Sequence, residues 1–215
     1  MVVDDFTVPD ELDLVDWRRR VGDLYRLPGY EEWRAARDLL FREHPQSPIP
    51  VDERASFTGL RWFPYDAAYR VHAAWSEGDG SRLEIDTGGE DGVVVYRRAG
   101  VLSFALAGVD GLRLTVFRQL GYGGGLFVPF ADLTSRHETY GAGRYLVDTV
   151  KNTDGHSLVF AVGSDRVVLD FNFAYNPSCV YDVRWACPLA PPENRLPVAV
   201  LAGEMVPASG SFLPS

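Results

Sequence analysis

The sequence predicts a mainly β protein, an antiparallel β-sandwich or partly open barrel preceded by two N-terminal α-helices. Three observations carry this. The first 45 residues hold two runs with helical periodicity, whereas from about residue 67 onward short β-branched and aromatic runs alternate with turn signals. Asp79-Gly80, Asp91-Gly92 and Asp110-Gly111 supply the positive φ that tight hairpins need. The connections are too short for the crossovers that parallel pairing requires, so neighbouring strands pair antiparallel.

Taken in order, Glu11 to Arg26 reads as a first helix, with Asp10 as N-cap and acidic residues in its first turn, where they suit the helix dipole. Pro28-Gly29 ends it. Tyr30 to Glu43 reads as a second helix that sets Trp33, Ala36, Leu40 and Phe41 near one face, spacing that marks packing against the main body. Arg18, Arg19 and Arg20 read as a solvated face of the first helix, with an anion clamp as the rarer role. Residues 46–66 form a proline-rich connector. Ten strands are expected in the β region, 67–206: Tyr69–Trp75, Arg82–Asp86, Val93–Arg98, Val101–Ala107, Leu112–Gln119, Leu126–Phe130, Gly143–Val150, Ser157–Val162, Arg166–Phe173 and Val198–Val206. The glycine cluster Gly121 to Gly125 precedes a strand and lacks the Gly-Lys-Ser/Thr of a phosphate loop, so it reads as a bulge or close backbone approach. Residues 207–215 read as a loose tail, and the whole as a single domain.

Composition sets outer bounds. With 215 residues and 46% hydrophobic content the chain can bury a sizeable core. A formal net charge of -9 disfavours a nucleic-acid backbone or an anionic membrane as partner, both being repelled at long range. The N-terminal residues have neither a basic n-region nor an apolar h-region, and no apolar run spans a bilayer, which points to the cytoplasm. Cys179 and Cys187 are then expected as reduced thiols. They are isolated and no His-x-x-x-His is present, so no metal site is expected, and no cofactor motif is found.

Chemistry-bearing side chains concentrate in DFNFAYNPSCVYDVRWACPLAPPENR, Asp170 to Arg195. Asp170 and Asn172 interrupt an apolar strand and need hydrogen-bond partners, because an unsatisfied buried polar group costs about 1–3 kcal/mol. Asn176-Pro177 is a turn signal, and Pro188, Pro191 and Pro192 deny the next segment regular structure, leaving side chains to hold it. A second dense stretch, HETYGAGRYL from His137 to Leu146, offers Tyr140 and Arg144 as a carboxylate or phosphate clamp, the guanidinium forking onto two oxygens. The competing reading has Arg144 pairing with Asp170 or Glu193 inside the fold.

The segments YGGGLFVPFADLTSRHETYGAGRYL (Tyr122 to Leu146), LDFNFAYNPSCVYDVRWACPLAPPENRLPVAVLAGE (Leu169 to Glu204) and HPQSPIPVDERASFTGLRWFPYD (His44 to Asp66) resemble the bacterial and archaeal domain-of-unknown-function family number 1684. The resemblance covers most of the chain. It implies no established reaction and lends no catalytic residues.

Two functional classes follow. The first is a small-molecule site, an anion among the candidate ligands, with or without catalysis, in a cleft of the β domain lined by Tyr140, Arg144, Asp170, Asn172, Tyr175, Asn176, Cys179, Trp185 and Glu193. The second is a protein-interaction or structural module in which the polar motif only stabilises the C-terminal turn.

Overall fold

The computed structural model describes residues 10–87, 92–121, 123–149, 156–160 and 166–207. Residues 208–215 of the tail expected over 207–215, Asp91 of one expected turn, Tyr122 of the glycine cluster and the ends of the strands expected to reach Val150 and Val162 lie outside the described residues.

Two helices, α1 (Asp10–Leu24) and α2 (Tyr30–Glu43), lead into the β region. Glu31 and Glu32 occupy the first turn of α2 and Arg42 its last, the arrangement that complements the helix dipole. Trp33, Arg37, Leu40 and Phe41 form its buried stripe. Trp33 carries the docking: it is fully buried, with its ring centroid 5.0 Å from Trp62 in the connector and 5.0 Å from Phe173. On α1, Arg19 and Arg20 pair with Asp16 of their own helix.

Among the described residues eight strands follow: β1 (Arg70–Glu77), β2 (Arg82–Asp86), β3 (Val93–Leu106), β4 (Val109–Gln119), β5 (Gly125–Phe130), β6 (Arg144–Asp148), β7 (Leu158–Phe160) and β8 (Arg166–Asp170). All pair antiparallel in one sheet of order β6-β5-β4-β3-β1-β8-β7, with β2 on β3. The sheet curls into a half-barrel. Its two ends are tied where Tyr145 of β6 exchanges backbone hydrogen bonds with Tyr175, beyond β8, at 2.9 and 3.0 Å. Ser157 reinforces the tie, donating its hydroxyl to the Leu146 carbonyl while its own carbonyl accepts from Asp170 N at 3.0 Å. The concave face is filled by Leu102, Leu114, Val116, Phe130, Leu169 and Phe171, all fully buried.

Three local readings are corrected. Val93–Arg98 and Val101–Ala107 are not separate strands: they run together as β3, whose first half pairs with β2 and second half with β1. A register shift between Arg98 and Gly100 absorbs the expected break as a bulge, and Gly100 is needed because a Cβ there would lie 2.0 Å from the Trp75 ring. The β3–β4 hairpin turns at Ala107-Gly108, both at positive φ, rather than at Asp110-Gly111, which continues into β4. Val198–Val206 forms no strand beyond a single bridge from Glu204 to Trp62. Side chains and scattered backbone hydrogen bonds, among them Glu204 N to Ala174 O at 2.9 Å and Met205 N to Arg61 O at 2.8 Å, hold that segment instead.

Within it Gly203 sits at φ 80, and a Cβ would lie 2.7 and 2.8 Å from the carbonyl oxygens of Ala174 and Phe171. Gly203→Ala therefore combines left-handed strain of about 1–2 kcal/mol with overpacking of about 1–3 kcal/mol. Urea unfolding is expected to show a loss of roughly 2–5 kcal/mol in the variant; a loss below about 0.5 kcal/mol, the usual surface effect, would contradict this packing.

Candidate functional site

Eight of the nine expected residues separate into four surroundings, and Glu193 lies apart. The deepest is built on Arg144 at the start of β6, 1% exposed, whose Nη2 donates to Asp132 Oδ2 at 2.8 Å and to the Val200 carbonyl at 3.0 Å. Its Nη1 donates to the carbonyls of Ala202 and Glu204, and the guanidinium lies over the Phe130 ring. The partner inside the fold is thus Asp132, not Asp170 or Glu193, and the fork that was expected to hold an anion is spent on one carboxylate and three carbonyls of the C-terminal segment. Asp132 is itself braced by Thr134, whose backbone N–H and hydroxyl donate to Oδ1 at 2.7 and 2.5 Å.

Next to this pair lies Glu204, fully buried, whose Oε2 accepts from Arg37 Nη2 of α2 at 3.3 Å and from the Asn176 backbone N–H at 3.1 Å. Burial pushes its carboxyl up to about 7 despite the guanidinium beside it. Asn176 also donates Nδ2 to the Met205 carbonyl at 2.8 Å, and the Arg37 guanidinium lies 5.2 Å from the Tyr175 ring centroid. Arg37 escaped the sequence reading because its charge hid it within an apolar stripe.

The third surrounding is an aromatic and thiol layer. Cys179 approaches the Tyr140 hydroxyl at 3.9 Å, and burial raises the pKa of that phenol above its ordinary value. Cys179 and Cys187 are not bridged. Trp185 is half-buried with the Arg184 guanidinium 5.1 Å from its ring centroid. Glu193 lies elsewhere, on an open groove of about 520 Å³, where it takes Arg98 on both carboxylate oxygens and accepts from Thr115 Oγ1 at 2.9 Å. Its neighbour Asn194, fully buried, accepts from Thr115 N at 2.8 Å and donates to the carbonyls of Thr115 and Pro129, clasping β4 and β5.

Asp170 and Asn172 form the fourth. Burial raises the Asp170 pKa, with hydrogen bonds from Asn172 opposing. Its Oδ1 accepts from Asn172 N at 3.1 Å and Nδ2 at 2.9 Å, which turns the chain out of β8 into a 3₁₀ turn at Phe171–Phe173. The Asn172 amide grips the backbone of Asp66, accepting from its N–H at 3.0 Å and donating to its carbonyl at 2.9 Å. Asp170 Oδ2 is left to face Arg70 Nε at 3.6 Å. It lines a cleft of about 540 Å³ between the start of α2 and the sheet, with Tyr30, Tyr65, Arg70, His156 and Phe173 as walls and Glu31 and Glu32 on the helix side. His156 stacks on Phe173 with centroids 4.8 Å apart, and its Nε2 is buried with no hydrogen-bond partner among the described residues.

Of the nine, Asp170 and Glu193 line open clefts, and these are different ones; Arg144, Asn172, Tyr175 and Asn176 are buried in the connections that hold the chain together. Tyr30, Tyr65, Arg70 and His156 were missed. They come from four separate segments, and only the pairing of β1 with β8, which sets Arg70 opposite Asp170, brings them to one place. Among the described residues no group of three His, Cys, Asp or Glu side chains is placed to hold a metal, and no helix is long and apolar enough to cross a membrane.

A family model described as a protein of unknown function, DUF1684, matches residues 55–205. The chain is also similar to a solved solution structure, that of an uncharacterized protein of Haloarcula marismortui, with 35% identity, 93% of this chain and 99% of that chain covered, and a TM-score of 0.60. No curated protein matches.

Proposed function

The chain belongs to the DUF1684 family, and on that premise we propose that it binds a small molecule in the cleft between the N-terminus of α2 and the β1–β8 pair, with Asp170 as its principal contact. One observation carries this reading. A carboxylate only 3% exposed and positioned by Asn172 lines an open, aromatic-walled cleft, and the nearest donor to its second oxygen among the described residues, Arg70 Nε at 3.6 Å, is beyond good hydrogen-bond reach. A carboxyl removed from water and left short of donors favours a ligand that supplies one. The cleft's mix of apolar walls and few convergent polar groups is the ordinary make-up of a ligand site. The C-terminal motif around Arg144, Asn176 and Glu204 reads, by contrast, as architecture: Arg144 Nε, Asn176 Oδ1 and Glu204 Oε1 lack partners among the described residues, but all three residues are buried, line neither cleft and bind the chain's own backbone.

A thermal-shift screen against a chemically diverse set of small metabolites tests it. A compound present at 100 times its Kd stabilises the native state by about 2.7 kcal/mol, roughly 5–10 °C for a chain of this size. The expected result is at least one compound that shifts the wild type, with the shift lost in Asp170→Asn and kept in Glu193→Gln. A shift retained in folded Asp170→Asn, or lost in Glu193→Gln, would overturn the assignment.

A further inference from the structure

We infer that the ligand of this cleft carries an amino group, a small amine with an apolar or aromatic body, its ammonium seated on Asp170; this rests on the cleft being a ligand site, as proposed above. Three carboxylates, Asp170, Glu31 and Glu32, line the cleft against one guanidinium, Arg70, and one imidazole, His156. Glu31 also has Arg34 at 3.9 Å, too far for a hydrogen bond, and that guanidinium lies outside the lining, over the Tyr30 ring. An anion drawn toward Arg70 would come up against Asp170, whose Oδ2 is already 3.6 Å from the same nitrogen. A cation seated on Asp170 meets Arg70 in turn, but Glu31 and Glu32 leave the lining with two further carboxylates to offset that guanidinium.

Hydrogen-bond inventory points the same way. Asp170 is 3% exposed, and its Oδ1 is taken up by two donors from Asn172, so Oδ2 is the carboxylate oxygen left for a ligand; it lacks a donor within hydrogen-bond distance among the described residues, and the buried His156 Nε2 of the same lining is likewise without a partner. An ammonium brings three donors and a full charge, and charge-assisted hydrogen bonds are about twice as strong as neutral ones. The walls suit the rest of such a molecule. Tyr30 and Tyr65 stand with ring centroids 5.1 Å apart and Tyr30 and Phe173 5.4 Å apart, the latter edge to face, so the cleft offers aromatic surface to an apolar body and to the cation itself. The first turn of α2 adds Glu32, whose carboxylate oxygen lies 2.3 Å from where a Cβ on Gly29 would stand; it covers the helix end that would otherwise attract an anion.

Saturation-transfer NMR with equal concentrations of benzylamine, benzyl alcohol and benzoate separates ligand class from ligand site, since the three share a ring and differ in charge. Wild-type protein is expected to give a benzylamine signal at least fivefold above the other two. The signal should fall at least fivefold in Asp170→Asn, fall in Tyr65→Ser, which alters a half-exposed wall, and persist in Arg70→Gln. Weakening in 0.5 M sodium chloride follows from the ionic contact. A benzoate or benzyl alcohol signal equal to or above that of benzylamine, with dependence on Asp170, overturns the amine class while leaving the cleft as the site. Benzylamine binding unaffected by both Asp170→Asn and Tyr65→Ser overturns the placement, and no signal from benzylamine overturns the class, the screen above then deciding the cleft separately.

Discussion

Arg144→Met is expected to destabilise the fold by about 3–5 kcal/mol, the cost of removing one partner from a buried ion pair. The substitution preserves much of the side-chain volume against Phe130, so the loss isolates the charge. It leaves Asp132 buried without its guanidinium and takes donors from the carbonyls of Val200, Ala202 and Glu204. Those three carbonyls are part of what fastens the C-terminal segment across the barrel end, beside backbone hydrogen bonds such as Glu204 N to Ala174 O and Met205 N to Arg61 O. With native stabilities of about 5–15 kcal/mol, such a loss moves the urea midpoint far. Arg144→Met combined with Asp132→Ala is expected to recover part of it, because no uncompensated charge is then left inside. A single-variant loss below about 1 kcal/mol, the scale of an exposed pair, would contradict the role assigned to Arg144.

The second large effect is on pH. Glu204 is held at about 7 in the folded chain against 4.5 for an unperturbed carboxyl, and burial is the cause. The charged groups facing it are Arg37 from α2, which bonds it, and Arg144 from β6, which bonds its backbone carbonyl. Between pH 4.5 and about 7 the native state keeps a proton that the unfolded chain releases, so stability from this group falls as pH rises through that window. A shift of this size corresponds to about 3 kcal/mol in all. Chemical unfolding of the wild type and Glu204→Gln at pH 5 and pH 8 is expected to show the wild type losing ground on the variant by that order. A wild-type-to-variant difference that does not change with pH would rule the buried carboxyl out as the titrating group.

Much of this architecture was legible in the residues. Short β-branched and aromatic runs, Asp-Gly turns and short connections led to an antiparallel sheet, and the α2 stripe of Trp33, Leu40 and Phe41 led to a docked helix. What was illegible depended on long-range side-chain contacts. Val198–Val206 has the composition of a strand, but Arg144, Asn176 and the Trp62 bridge occupy its backbone groups, so no ladder forms. Ala99-Gly100 looks like a turn and serves as a bulge because Trp75 needs the space. In the site, Asp170 and Asn172 stood out as polar groups in an apolar strand, and both are engaged as that reading required. Arg70, His156, Tyr30 and Tyr65 carry no local signal, since their proximity to Asp170 is a product of strand register and helix docking. Arg144 had the right chemistry for an anion, and the carboxylate it found was Asp132, on the loop just before it.

The most direct test of the account is chemical-shift mapping of a fragment set on the isotopically labelled chain. The account predicts that perturbed amides cluster around Tyr30 to Glu32, Arg70, His156 and Asp170, and that Asp170→Asn abolishes the cluster. Perturbations gathered instead around Thr115, Arg98 and Glu193, or unchanged in Asp170→Asn, would contradict it.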